Sequence, residues 1–221
     1  MNVRNVITFL TLLFLPALAF AVGDIDGVTQ ARGETIYSGQ NLALIIFFLL
    51  GLIFLIVGGC KLTLVGEQGQ KNAKTVPLVT IFAGVLLMNI TTTLGVFGST
   101  YFDVDNACFI ISEGGSINDS CMNTEISGLT DEMRSRIEKL SSGGTAQEFI
   151  TNVRIILAIF QSVGLIYFGV GIIGLIQVSN GSAQNGYGKP LITMFASALI
   201  YDLPHTAMMA VDTLEKIGIN F

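Results

Sequence analysis

Two ionisable side chains lie in an apolar stretch that predicts a membrane helix. Asp202 and His205 are one helical turn apart within residues 191–211, and a carboxylate beside an imidazole can relay a proton or bind an ion. Asn89 occupies the position equivalent to Asp202 in an earlier, similar stretch, so the polar position recurs there without the charge. We therefore keep a proton or ion relay as one interpretation of Asp202 and His205, and we favour the other, a structural pair that forms hydrogen bonds between helices.

The three cysteines predict a disulfide and no metal site. Cys108 and Cys121 both lie in a segment that we expect to be exported, where an oxidising compartment favours a bond between them. Cys60 lies near the end of an apolar stretch and is expected to act as a small apolar residue. Because the cysteine spacing matches no metal motif and the chain has 1 His, we predict no metal, no cofactor and no enzymatic activity.

The composition predicts a membrane protein. The chain is 51% hydrophobic and 12% charged, with a mean hydropathy of +0.69, whereas soluble domains are about 25% charged. A net charge of -5 argues against nucleic acid as a direct partner, since nucleic acid demands a basic surface. The lipid bilayer is the predicted environment.

The first residues follow the pattern of a secretory signal peptide. Arg4 precedes an apolar stretch over residues 6–15, and Ala19 and Ala21 form the small-x-small pattern read by signal peptidase. We predict cleavage after Ala21, with an uncleaved signal anchor as the alternative. The apolar stretch is shorter than the roughly 20 residues that a membrane-spanning helix needs.

Four longer apolar stretches follow, and each is predicted to cross the bilayer as a helix, with Pro204 expected to kink or end the helix of the fourth. They cover residues 42–64, 76–97, 155–178 and 191–211. Lys71 and Lys74 in the loop between the first two place that loop in the cytoplasm, and the acidic segment before the third stretch lies outside, in the periplasm. A capping box at Thr145 and Glu148 predicts a helix that runs unbroken into the third stretch.

These signals give a domain map for an all-α protein of the bacterial inner membrane. After signal cleavage it has four helices in two tandem hairpins, separated by a small periplasmic insert that bears the disulfide. The predicted segments are the signal peptide 1–21, a periplasmic N-terminal segment 22–41, transmembrane hairpin 1 over 42–97, the periplasmic domain 98–151, transmembrane hairpin 2 over 152–212 and a periplasmic tail 213–221.

The two hairpins resemble each other at a fixed offset of 113 residues. Residues 44–89 and 157–202 align without a gap, and 17 of the 46 positions are identical. Because each unit contains two helices, both copies have the same orientation, which makes this a parallel repeat. Gly51 and Gly58 recur as Gly164 and Gly171, and small residues on one helix face favour close packing, either between the hairpins or with other subunits.

The repeated unit resembles a family of small membrane proteins. It has Gly-Leu-Ile-Tyr-Phe-Gly-Val-Gly at 164–171, Gly-Lys-Pro-Leu at 188–191 and an apolar run that ends in Asp-Leu-Pro at 202–204. This pattern resembles the inner-membrane proteins of type IVB (Dot/Icm) secretion and conjugal-transfer systems, the IcmC, IcmD and DotV group. The resemblance implies a non-enzymatic structural subunit that assembles with other membrane subunits of a secretion or conjugation complex. The doubled hairpin departs from the single-hairpin members.

Two other functions fit parts of the sequence. A small transporter or channel would use Asp202 and His205 as intramembrane polar groups. A pilin-like subunit is also open, because conjugative pilins are exported helical hairpins with a short basic cytoplasmic loop.

Overall fold

The computed structural model describes residues 25–68, 75–102, 109–118, 143–182 and 186–218, and six α-helices account for most of them. They are α1 (Ile25–Gln68), α2 (Thr75–Met88), α3 (Ile90–Phe102), α4 (Gly143–Ser179), α5 (Gly188–Tyr201) and α6 (Leu203–Lys216). A 3-10 turn, Glu113–Gly115, lies between α3 and α4. The described residues include one isolated β-bridge, between Ile111 and Ile117, and no strand, which confirms the all-α class.

Two helices are long and apolar enough to cross a membrane. They are Gln30–Leu64 within α1 and Thr151–Ser179 within α4, and α2 with α3 adds a third if that bent pair is one crossing. As predicted, α4 continues unbroken from the segment before the third apolar stretch. Helix α1 begins at Ile25, well before its apolar stretch at residue 42.

The second apolar stretch is not one continuous helix, and the fourth is broken next to Pro204, where a kink or a helix end was expected. The second breaks at Asn89, where α2 and α3 meet at 87°. The fourth breaks at Asp202, whose backbone is non-helical at φ -112 and ψ 56. Pro204 lies in the first turn of α6, where its missing N–H costs nothing. Asn89 has no nearby proline, so a proline is not what the two breaks share.

The helices pack as two pairs joined side by side. Helix α1 packs along α2, α4 packs along α5, and α4 also contacts α1 and α2. The main core includes Phe47, Leu87, Phe168 and Ile172, all fully buried. Burial of such side chains contributes about 1.5–3 kcal/mol each against water, and in lipid their contribution is close packing instead.

Several predicted features lie outside the described residues. These are the signal peptide with Ala19 and Ala21, the Cys108–Cys121 disulfide, and most of the acidic segment between residues 119 and 142. Cys60 is described, and it is an exposed free cysteine on α1.

Candidate functional site

Asp202 and His205 form a close pair at the break between α5 and α6. Asp202 Oδ1 lies 2.6 Å from His205 Nδ1, and the carboxylate accepts a hydrogen bond when that nitrogen carries the proton. Both side chains are partly buried, at 22% and 20% exposure. The His205 ring also stacks on Phe102 at the end of α3, with centroids 6.1 Å apart. The pair therefore connects the second break to α3.

Asn89 occupies the first break but forms no comparable pair. Its side chain is exposed, and Nδ2 donates a 3.4 Å hydrogen bond to the Val85 carbonyl of its own helix. Thr93, one turn later, places its hydroxyl 2.9 Å from the Asn89 carbonyl and 3.5 Å from that of Leu86. The Asn89 carbonyl also accepts the Thr93 backbone N–H, so the hydroxyl is a second donor within reach of that carbonyl and of the Leu86 carbonyl before the break.

The second break has the same arrangement, a threonine hydroxyl close to two backbone carbonyls. The Thr206 hydroxyl lies 2.9 Å from the Asp202 carbonyl and 2.8 Å from the Leu199 carbonyl. Each hydroxyl has one proton, so it donates to one of its two carbonyls at a time. These threonines were not predicted, although their equal spacing from Asn89 and Asp202 was a signal available in the sequence.

A small cleft adjoins the Asp202 break. Its volume is about 20 Å³, which is room for about one water molecule. One water in this cleft would lie beside Asp202. The lining residues come from α3, α5 and the break after α5: Leu94, Phe97, Gly98, Tyr101, Phe102, Phe195, Ala198, Leu199, Tyr201 and Asp202.

The four predicted packing glycines all face a neighbouring helix, within each pair. A Cβ on Gly51 would lie 2.6 Å from the Gly84 carbonyl oxygen, and one on Gly164 would lie 2.8 Å from that of Ser197. A Cβ on Gly58 or Gly171 would meet the side chain of Ile81 or Met194, respectively. The sequence predicted contacts between the hairpins or with other subunits, whereas these contacts join α1 to α2 and α4 to α5.

Two buried glutamines join α1, α4 and the outer loop at residues 109–118. Gln40 of α1 donates a 2.8 Å hydrogen bond to the Ser162 hydroxyl of α4. Gln161 Oε1 accepts a 3.0 Å bond from the Ile110 backbone N–H. Neither contact could be predicted from local patterns, because each joins residues far apart in the chain.

We expect methionine to have opposite effects at these two positions. In Gln161→Met the buried Ile110 N–H loses its acceptor, which costs about 1–3 kcal/mol. In Gln40→Met the Ser162 hydroxyl still donates to the Ala158 carbonyl, and the variant removes a Gln40 Oε1 that has no partner among the described residues. Unfolding midpoints in detergent should therefore fall for Gln161→Met and hold or rise for Gln40→Met. Equal losses in both variants would contradict this reading of the two bonds.

The outer loop also contacts α1 through two glycines. Gly115, at φ 76, lies against the α1 backbone, and a Cβ on it would be 2.6 Å from the Glu34 nitrogen. Gly33 faces the Gly115 backbone from the other side. Ile110 and Ile111 then join Ile36 in a small buried cluster. The loop thereby holds the outer ends of α1 and α4 together.

The comparisons of this chain with known proteins found no match. Protein-family models, curated proteins and solved structures all gave no match. Within the described ranges, no group of three or more His, Cys, Asp or Glu side chains could hold a metal ion. What these residues provide is close helix packing, two helix breaks and one Asp–His pair.

Proposed function

We propose that the chain is a non-enzymatic structural subunit of a type IVB secretion or conjugation complex in the bacterial inner membrane. The observation that carries the proposal is the unequal burial of the two long helices. The most apolar window of α1 is 22% buried within the chain, against 67% for α4. Helix α1 thus offers most of its circumference to lipid or to other subunits, as a component of a larger membrane assembly would.

A tandem duplication of one hairpin is part of this proposal. Gly51 and Gly58 contact α2 at Gly84 and Ile81, and the matching contacts on α5 all lie 113 residues further on. The same offset relates the breaks at Asn89 and Asp202 and the hydroxyls of Thr93 and Thr206. These repeated contacts support duplication independently of the apolar composition.

The proposed topology places the loops within each pair in the cytoplasm and the outer loop in the periplasm. Reporter fusions at Gly69 and Gln184 should be active only as cytoplasmic reporters, and a fusion at Gly114 only as a periplasmic reporter. The reason is the lysine distribution together with the signal peptide. A periplasmic signal at Gly69 would invert the topology.

Subunit function is tested by deletion and complementation in the native host. We expect deletion to abolish substrate transfer without affecting growth, and a plasmid copy to restore it. The tagged chain should migrate in mild detergent with other components of the transfer complex. Normal transfer in the deletion strain would overturn the proposal.

A relay through Asp202 and His205 is the second candidate, favoured by their 2.6 Å contact beside a water-sized cleft. Asp202→Asn keeps an acceptor for His205 and loses the charge, which should cost about 1 kcal/mol. If the pair is structural, the variant assembles slightly less well and keeps proportionate function in a transfer assay. A fully assembled variant without any function would favour the relay.

A further inference from the structure

The contacts between α1 and α4 define which of their residues lie at the same height. The two helices run in the same direction, since Gln40 bonds Ser162 and Phe47 packs on Gly169, each pair 122 residues apart. The apolar stretches of the two helices begin 113 residues apart, at Leu42 and at Ile155. Residues at the same height are thus 122 apart, whereas the two apolar stretches begin only 113 apart. The difference of nine residues is about 13 Å along the helix at roughly 1.5 Å per residue. The apolar surface of α4 therefore begins higher, toward the outer loop, than that of α1.

Exposed side chains at matched heights show the same mismatch. At three successive heights α1 exposes a polar residue where α4 exposes an apolar one: Glu34 with Ile156, Ser38 with Phe160, and Asn41 with Val163. The α4 residues are 51%, 45% and 36% exposed. Their stripe lies within the apolar stretch 155–178 and continues along it at Tyr167, which is 40% exposed.

Tilting the whole chain in a flat bilayer does not remove this mismatch. Packed helices are about 8–10 Å apart, and transmembrane helices tilt by about 20° on average and at most about 40°. Such tilts change the relative height of two neighbouring helices by about 4 to 8 Å. About 5 Å or more of the mismatch remains.

We propose that the chain deforms the outer leaflet of the bilayer, so that the boundary between acyl chains and headgroups is higher along α4 than along α1. We call this difference in height the step. Lipid acyl chains rise along the exposed stripe of α4 as far as Ile156, while headgroups and water reach down α1 to Asn41. Acyl chains are the occupant because the stripe is continuous with the part of α4 that crosses the membrane. The inference rests on the proposed membrane placement and adds to it a local deformation of the bilayer.

Tryptophan fluorescence tests the step, because the chain contains 0 Trp. Phe160→Trp and Ser38→Trp place one reporter each at the same height on α4 and on α1, and Phe48→Trp marks the lipid-facing part of α1. The full-length variants are reconstituted in phosphatidylcholine vesicles and quenched with acyl-brominated lipid or with aqueous iodide. We expect loss of emission with brominated lipid for Phe160→Trp and with iodide for Ser38→Trp. Ile156→Trp repeats the α4 measurement if Phe160→Trp does not fold.

Each other outcome overturns the step. Brominated lipid quenching both reporters, or iodide quenching both, means a flat surface at that height. Protection of the α4 reporters from both quenchers means that protein covers the stripe. If Phe48→Trp is not quenched by brominated lipid, the membrane placement itself fails, which separates that failure from failure of the step alone.

Discussion

Gly164→Leu is expected to separate α4 from α5. A Cβ at this position would lie 2.5 Å from the Tyr201 nitrogen and 2.8 Å from the Ser197 carbonyl oxygen. Both are backbone atoms, so the neighbouring helix must move as a whole. Overpacking of this kind costs about 1–3 kcal/mol or more, which exceeds the roughly 0.8–1.0 kcal/mol that leucine gains over glycine in helix propensity. The unfolding midpoint of the purified chain in detergent should fall.

Gly59→Leu is the matched control. A Cβ on Gly59 meets nothing within 4 Å, so this variant has the propensity gain without the overpacking. Its midpoint should hold or rise. Gly51→Leu should behave like Gly164→Leu, because its Cβ would meet the backbone of Gly84 and Met88. A Gly164→Leu protein as stable as Gly59→Leu would show that the glycine contact does not hold the pair together.

Gly115→Ala is expected to release the outer loop from α1. Gly115 has φ 76, a conformation that costs an L-residue about 1–2 kcal/mol. Its new Cβ would also lie 2.6 Å from the Glu34 nitrogen and 2.8 Å from the Gln30 carbonyl oxygen. Strain and contact act together, so the loop should detach before the helices unfold. Hydrogen exchange at the Ile110 amide, which is bonded to Gln161, should accelerate.

Gly114→Ala separates the two causes. Gly114 has nearly the same φ, 78, but a Cβ there meets nothing within 4 Å. This variant therefore has the strain alone, and its Ile110 amide should remain better protected than in Gly115→Ala. Equal acceleration in both variants would mean that backbone strain, and not contact with α1, controls the loop.

Hydropathy predicted where the long helices lie, and Pro204 predicted the break in the fourth apolar stretch, whereas no local signal predicted the break at Asn89. The 37-residue helix α4 has no interior proline, so its continuity followed from local sequence, although it begins at Gly143, before the predicted cap Thr145. The break at Asn89 lies in an apolar run without proline, where local propensity favours a straight helix. After the bend, α3 contacts α5 and α6, which are distant in sequence, and local propensity does not include such contacts.

Glycine spacing predicted the faces that pack but not their partners. Periodicity identifies one face of a helix, and several neighbours can satisfy it. The choice between α2 and a different subunit depends on loop length and on complementary shapes, such as Gly84 opposite Gly51. The contact between Gly33 and Gly115 could not be predicted, because Gly33 is isolated in a polar segment and Gly115 belongs to a Gly-Gly pair typical of a turn.

The separations of these contacts along the chain have a consequence for the order of folding. Gly51 meets Gly84 across about 30 residues, whereas Gln40 meets Ser162 across 122, and loop-closure entropy rises by about 0.6 kcal/mol with each doubling of length. Membrane helices insert first and associate afterwards. The first pair can close during synthesis, before α4 has left the ribosome. The hydrogen bond from Ile110 to Gln161 can form only after α4 has inserted, so the outer loop packs in place after the second helix pair has formed.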